Sequence, residues 1–192
     1  APGGYLWVFP KGDQYANIGI GISGKHSKHQ SAKKYIDEFM HREYPDASIL
    51  TNMCGGVPCA KPMANPVSNG IMLVGDSAHQ VNPMTGGGIV SGMKGGWIAG
   101  QVAADAIKSG DYTKDCLTEY SKWMQKDFGS NHIRFYKIKE AISQLSDSDL
   151  NGIAEKVLKV PYEKRTLRTA FKAAVFKKPS LIIDVLKVLA GV

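Results

Sequence analysis

No stretch of about 18 uninterrupted apolar residues occurs in the chain, so no segment reads as a membrane-spanning helix. Cysteine is scarce: Cys54, Cys59 and Cys116 are too few for a disulfide scaffold. Cys54 and Cys59, separated by Gly55-Gly56-Val57-Pro58, match no common zinc spacing and no second ligand pair follows, so no metal site is expected. Reduced thiols are the default reading, with a redox pair as the alternative. The opening, Ala1-Pro2-Gly3-Gly4, lacks the basic-then-apolar layout of a signal peptide and has no initiator Met. A strand pattern begins within a few residues, and the expectation is a piece of a longer polypeptide.

Charge of one sign is also modest, at +7 net. Much of it falls late. Between Glu155 and Lys178 stand Lys156, Lys159, Lys164, Arg165, Arg168, Lys172, Lys177 and Lys178, against only Glu155 and Glu163. Such a run is most simply a solvated helix face, and it also suits phosphates, anionic lipid or an acidic protein. No nucleic-acid motif accompanies it, so nucleic acid is not an expected partner.

What is present begins with strands. Tyr5 to Phe9 is short and aromatic, and Tyr15 to Ile22 alternates with Ile18, Ile20 and Ile22 on one face. Lys11-Gly12-Asp13 supplies the turn of a hairpin. Ser31 to Arg42 reads as an amphipathic helix ending near Pro45, and a further strand is expected around Ile49 to Val57. A connection containing Pro58, Pro62 and Pro66 follows. Ile71 to Val74 reads as a short buried strand entering Gly75-Asp76, and a small-residue helix runs from about Gly87 to Ser109. From Thr113 the pattern is helical, broken near Ser146 to Asp149, at Pro161 and at Pro179.

The segment Leu73-Val74-Gly75-Asp76-Ser77-Ala78-His79, followed by Pro83-Met84-Thr85-Gly86-Gly87-Gly88, has chemistry suited to a cofactor. A strand ending at Gly-Asp sets a carboxylate at the carboxyl edge of a sheet, where α/β proteins bind ligands. Asp76 can only accept hydrogen bonds when ionised, which suits a hydroxyl-bearing chain. Gly86, Gly87 and Gly88 let backbone approach a flat or phosphorylated ligand, and the helix behind them offers unsatisfied N–H groups. Gly92, Gly95, Gly96, Ala99, Gly100, Ala103 and Ala104 make that helix small-sided, at a cost of about 1 kcal/mol per glycine relative to alanine. Close packing on a sheet or cofactor would explain it. Lys94, Gln101 and Asp105 argue against a membrane-type helix.

These residues resemble the second FAD motif (Gly-Asp-x-Ala-His, then Pro-x-x-Gly-x-Gly) of the flavoprotein superfamily that includes p-hydroxybenzoate hydroxylase-like monooxygenases and geranylgeranyl reductases. The resemblance implies that Gly75, Asp76, Pro83, Thr85, Gly86, Gly87 and Gly88 bind FAD. Asp76 would hold the ribityl chain, and the backbone from Thr85 to Gly88 would lie beside the ring near its N1 and C2 carbonyl. Ser77 replaces an Ala often seen there, and His79 either faces the cofactor or only orders the loop. One departure matters. The dinucleotide fingerprint G-x-G-x-x-G is missing, because Gly19-Ile20-Gly21 supplies two of its glycines without the structure that should follow. The expectation is that roughly the first half of the parent protein is absent and that this piece alone binds FAD weakly or not at all.

Tyr5-Leu6-Trp7-Val8-Phe9-Pro10, then eight residues, then Gly19-Ile20-Gly21, is similar to the signature of the geranylgeranyl reductases. Tyr5, Trp7 and Phe9 share one strand face, so they form either an aromatic wall for an unsaturated hydrocarbon chain or a sheet core. Gly19 and Gly21 would keep a slot open opposite. Substrate contact is therefore expected at Tyr5, Trp7, Phe9, Pro10, Gly19 and Gly21. The resemblance implies reduction of isolated C=C bonds in geranylgeranyl chains of archaeal isoprenoid lipids by hydride from reduced FAD. An external donor (reduced ferredoxin or NAD(P)H) would reload it, in a cytoplasmic protein with peripheral contact at the inner face of the membrane.

No proton donor is identified; a water, Tyr5 and the absent half stay open. A flavin monooxygenase or halogenase is the alternative enzyme, and a non-enzymatic helical adaptor is the other rival. The expected fold is an α+β fragment of an FAD/NAD(P)-binding flavoprotein. Residues 1–66 would be part of a substrate-binding antiparallel sheet, 67–110 the C-terminal part of the FAD domain, and 111–192 a helical region.

Overall fold

The computed structural model describes residues 1–166, 169 and 172–174. Arg168, Lys177 and Lys178 of the basic stretch, and the break at Pro179, lie outside the described residues. The fold is mixed helix and small antiparallel sheet, as expected, and divides into two units, Ala1–Gly55 and the residues from Gly56 onward.

In the first unit β1 (Tyr5–Pro10) and β2 (Ala16–Gly21) form the expected hairpin. Tyr5 stands opposite Gly21, Trp7 opposite Gly19 and Phe9 opposite Asn17. The Lys11 N–H donates to the Tyr15 carbonyl at 2.7 Å and closes the turn, with Gly12 at a positive φ of 76°. A single helical turn, α1 (Gly24–Ser27), leads to α2 (Ala32–Glu43), which packs on β2. Ser31 caps α2 by accepting the Lys34 N–H at 3.2 Å, and the helix stops just before Pro45.

The strand expected around Ile49 to Val57 does not form. Ile49, Leu50, Met53 and Val57 are all exposed, and no strand runs beside them among the described residues. An apolar run becomes a strand only when a neighbour takes up its backbone groups.

The second unit opens with β3 (Val67–Ser68) and β4 (Ile71–Met72), a two-residue antiparallel pair. The buried strand expected over Ile71 to Val74 is thus shorter than its apolar run, and Ile71 is exposed. Instead of a parallel sheet edge, the chain entering Gly75 is held by the Leu73 N–H, which donates to the Pro66 carbonyl at 2.8 Å. A 3-10 turn follows at Gly75–Ala78.

Then come α3 (Ile89–Ser109) and α4 (Lys114–Met124). A π-helical turn at Gln125–Gly129 leads into α5 (Ser130–Ile142) and α6 (Asp147–Leu158). Thr113 caps α4, and a capping box between Ser146 and Asp149 starts α6. Pro161 ends the helical run as expected, ahead of a short 3-10 turn at Tyr162–Lys164. Among the described residues no helix is long and apolar enough to cross a membrane.

The core lies where α3 and α4 cross. Ile98, Ala99, Val102 and Ala106 of α3 meet Leu117, Tyr120 and Met124 of α4, with Val67 and Phe128 completing the cluster. The buried residues of α3 recur every three or four positions, so one stripe of this small-sided helix faces the core. Ile89, Val90, Met93 and Trp97 stay exposed.

His132 of α5 is buried against the Phe128 ring, centroids 5.2 Å apart, and its Nδ1 has no hydrogen-bond partner. Burial holds the imidazole below its ordinary value of 6.5. The unfolded chain therefore takes up a proton at a higher pH than the folded one, and stability falls as pH drops through that interval. The melting temperature should fall between about pH 7 and about pH 5.5, and His132→Leu should flatten that slope. An unchanged slope in the variant would assign the dependence to another group.

Candidate functional site

The turn after β4 is built from the backbone outward. Gly75 takes a positive φ of 65°, a region that disfavours any residue with a Cβ. His79 ends the turn in the left-handed region at φ 53°, and its Nδ1 lies 3.2 Å from the Lys61 carbonyl. His79 therefore orders the loop, one of the two roles expected for it. The next residue, Gln80, is almost completely buried. Its Oε1 accepts the Gly75 N–H at 2.8 Å, and its Nε2 donates to the Tyr120 hydroxyl at 2.5 Å. That hydroxyl donates in turn to the Leu73 carbonyl at 2.9 Å, and Ser91 Oγ donates to the Gln80 carbonyl. Burial pushes the Tyr120 phenol up, partly offset by the Gln80 bond, so it keeps the proton it donates.

The helix α3 comes very close to this turn. A Cβ on Gly95 would stand 2.2 Å from Gln80 Oε1 and 3.3 Å from a Val74 methyl. One on Gly92 would be 3.7 Å from the Gly75 Cα, and one on Gly88 3.2 Å from Asp76 Oδ1. The close packing expected of the small-sided helix is thus against the protein's own turn.

An open cleft of about 340 Å³ lies at this junction, lined by Val57, Gly75, Asp76, Val81, Gly86, Gly88, Ile89 and Gly92. Four of the expected cofactor residues, Gly75, Asp76, Gly86 and Gly88, are therefore brought together. Pro83, Thr85 and Gly87 are not on the lining. Pro83 is buried, and Thr85 Oγ1 accepts the Gly87 N–H at 3.2 Å. The loop is pinned as Asn82 N–H donates to the Gly87 carbonyl and Gly86 N–H to the Asn82 carbonyl, each at 2.9 Å.

The Asp76 carboxylate is exposed and accepts no hydrogen bond among the described residues. No side chain caps the N-terminus of α3 at Gly88. An acceptor and a set of helix N–H groups thus face the same opening. Val57, Val81, Ile89 and Gly92 are lining residues that sequence reasoning missed. They carry no polar signal; Gly92 was noted only for the small-sided helix and Val57 only as the end of an expected strand.

The other expected residues belong to the first unit. Tyr5, Trp7 and Phe9 line one face; the Tyr5 and Trp7 rings are tilted at 5.7 Å between centroids, and the Trp7 and Phe9 rings are stacked at 6.2 Å. The slot expected over Gly19 is not open. A Cβ there would lie 2.0 Å from the Trp7 ring, so the indole fills the space, and Trp7 Nε1 donates to Asn17 Oδ1 at 2.9 Å. Gly21 has only the Tyr5 carbonyl within reach of a Cβ, at 4.0 Å. Tyr5, Phe9 and Pro10 are exposed.

All three cysteines are free thiols. Burial pushes the Cys59 thiol up, Lys139 opposes this, and Asp76 adds to it. A thiol held protonated is a poor nucleophile. The Lys139 ammonium donates to the Cys59 carbonyl at 2.7 Å.

Residues 1–57 match the family model described as the geranylgeranyl reductase catalytic domain. The chain is 42% identical over 177 residues to digeranylgeranylglycerophospholipid reductase 1 of Methanococcoides burtonii, covering 92% of this chain and 43% of that protein. It is 40% identical over 186 residues to the digeranylgeranylglycerophospholipid reductase of Methanoculleus marisnigri, with 96% and 47% covered. A crystal structure of a geranylgeranyl bacteriochlorophyll reductase-like protein from Thermoplasma acidophilum superposes with a TM-score of 0.82 at 33% identity, over 98% of this chain and 48% of that one. The chain spans about half the length of these relatives.

Two glycines of α3 should respond oppositely to the same change. Gly95→Ala drives a methyl into the buried Gln80 amide and should destabilise by about 2 kcal/mol or more. Gly100, with nothing within 4 Å of a Cβ, should tolerate alanine with a gain of up to about 1 kcal/mol. Thermal unfolding of the two variants checks the pair. Equal effects would mean that α3 does not lean on the turn as described.

Proposed function

Because the chain belongs to the geranylgeranyl reductase family, we propose that it forms the substrate-side half of a flavin-dependent reductase. The reductase saturates isolated C=C bonds in the geranylgeranyl chains of archaeal-type glycerophospholipids. The observation that carries this reading is the shared cleft of Asp76 and the uncapped start of α3.

The residues present suit part of an FAD. Asp76 would accept hydrogen bonds from the ribityl hydroxyls, a chemistry open to an exposed carboxylate with no partner of its own. Gly86 and Gly88 present backbone without side chains, and the α3 N-terminus favours negative charge on the ring edge beside it. Pro83, Thr85 and Gly87 shape that loop. When bound and reduced, FAD supplies the hydride, recharged by an external donor, reduced ferredoxin or NAD(P)H. A cleft of this size takes part of the cofactor, and the phosphate cradle falls to polypeptide outside this chain.

Tyr5, Trp7 and Phe9 would hold the isoprenoid chain by area burial, a mode of binding that needs no hydrogen bonds from the alkene. Gly19 serves that wall by seating the Trp7 indole, while Pro10 and Gly21 sit at its ends. Lys156, Lys159 and Lys164 flank exposed Leu158 and Tyr162. That arrangement suits contact with an anionic lipid surface from the cytoplasmic side. Arg165 is committed elsewhere, since it donates to the Leu158 and Val160 carbonyls at the end of α6.

In this reading residues 1–66 belong to the substrate-binding sheet, 67–110 to the FAD domain and 111–192 to a helical region.

The full-length protein should show a flavin absorption spectrum. After anaerobic reduction it should add one pair of hydrogens per double bond to a digeranylgeranyl lipid, read by mass analysis. Asp76→Ala should weaken FAD binding about tenfold or more. Trp7→Ala should leave the flavin spectrum intact and lower kcat/KM for the lipid about tenfold. Oxygen-dependent products in place of lipid saturation would replace this reading with a monooxygenase.

A further inference from the structure

We infer that Tyr120 and Gln80 are positioning residues for the Asp76 carboxylate, a buried neutral relay that fixes the turn on which Asp76 stands. The inference rests on the reading of Asp76 as a flavin ligand. Neither residue lines the cleft, and Tyr120 lies in α4, far along the chain from the turn.

The direction of every bond in the relay is forced. The Gly75 N–H can only donate, so Gln80 must turn its oxygen to it. That leaves the Gln80 amide NH₂ facing Tyr120, whose oxygen must accept. The phenolic hydrogen is then free for the Leu73 carbonyl, which can only accept. No flip of the amide or rotation of the hydroxyl satisfies all three groups.

The relay grips the backbone on both sides of Val74, at the Leu73 carbonyl and the Gly75 amide, immediately before Asp76. Gln80 is held in turn by Ser91 and given room by the missing Cβ of Gly95. The other bonds of the turn are short-range ones, from the His79 and Gln80 N–H groups to the Asp76 and Gly75 carbonyls at 3.0 Å and from Ser77 Oγ to the Val74 carbonyl at 2.8 Å, and none of these ties it to α4. Gly75 is the most flexible residue type, and the two-residue β3–β4 pair ends before Leu73. Tyr120→Phe would keep the packing against the core while orphaning the buried Gln80 amide and the part-buried Leu73 carbonyl next to the turn. A loss confined to the turn would therefore separate positioning from general support.

The test uses the full-length protein with its flavin removed and FAD added back as the probe. Four variants are compared with wild type: Tyr120→Phe, Gln80→Met, Asp76→Ala, and Val102→Ala as a core change that touches no bond of the relay. FAD titration, thermal unfolding and amide hydrogen exchange at residues 75–78 are read for each. Tyr120→Phe and Gln80→Met should weaken FAD binding about tenfold and speed exchange in the turn. Val102→Ala should lower the melting temperature at least as much, with FAD affinity and turn exchange unchanged.

In the Asp76→Ala background, Tyr120→Phe should cost little further affinity, because the group it positions is gone. Wild-type affinity and exchange in Tyr120→Phe, or an equal loss in Val102→Ala, would overturn the inference. If Asp76→Ala binds FAD as wild type does, the flavin reading of Asp76 fails. Turn exchange then decides the relay by itself, and unchanged exchange in both relay variants overturns it.

Discussion

The close approach of α3 to the Gly75–Asp76 turn is the constraint on which the second unit depends. At Gly95 a single methyl would strike the amide of a buried glutamine. Glycine inside a helix costs about 1 kcal/mol each, and α3 carries several. The 21-residue length of α3 and its stripe of buried Ile98, Ala99, Val102 and Ala106 supply the compensating burial. Only some of its glycines have a steric reason, however. Gly95 has one, whereas a Cβ on Gly92 would make only an ordinary contact at 3.7 Å with the Gly75 Cα, and nothing stands near a Cβ on Gly100. The small-residue stripe that reads as one feature in the sequence is two features in the structure, one required for contact and one open.

The hairpin of the first unit uses the same device. Gly19 is glycine because the Trp7 indole lies over it, and Asn17 secures the ring by its edge. A glycine opposite an aromatic residue can thus mean a ligand slot or a seat for the aromatic itself. Sequence alone cannot separate these, since both require the same missing Cβ. Here the seat keeps the three rings in a row, which preserves an apolar surface at the cost of the open slot.

Elements stabilised by their own neighbours in sequence were legible. The hairpin has its turn residues, α2 has Ser31 and Pro45, and α6 has its capping box, so each carries its own boundaries. Strands that need distant partners were not. Ile49 to Val57 and Leu73–Val74 have the composition of strands, yet a strand is completed by another chain segment; among the described residues none pairs with the first, and the second has only the Leu73 bond to the Pro66 carbonyl.

The candidate site divides in the same way. Asp76, Gly86 and Gly88 announced themselves by a motif, because ligand chemistry restricts residue type there. Gln80 and Tyr120 did not. A buried glutamine beside a motif has no sequence signature, and its partner comes from a helix whose periodicity marks Tyr120 only as core. The π turn at Gln125–Gly129 is equally silent, since one added residue per turn leaves the helical pattern nearly intact.

The polar groups behind the turn are all neutral, and that bears on the chemistry in front of it. A buried ion pair would hold the turn too, but its desolvation is expensive and its charge would act on any ligand nearby. An amide, a phenol and a hydroxyl hold it with hydrogen bonds alone. Lys139, a cation close enough to oppose the shift at the Cys59 thiol, gives a hydrogen to the Cys59 carbonyl. The Lys94 ammonium is paired at 2.7 Å with Asp127. Among the residues that line the cleft, Asp76 carries the formal charge, and the N-terminal end of α3 adds a partial positive one. One accepts hydrogen bonds and the other attracts negative charge, so a ligand must offer hydroxyls to the first and an electron-rich edge to the second. The neutrality of the relay keeps those two demands distinct.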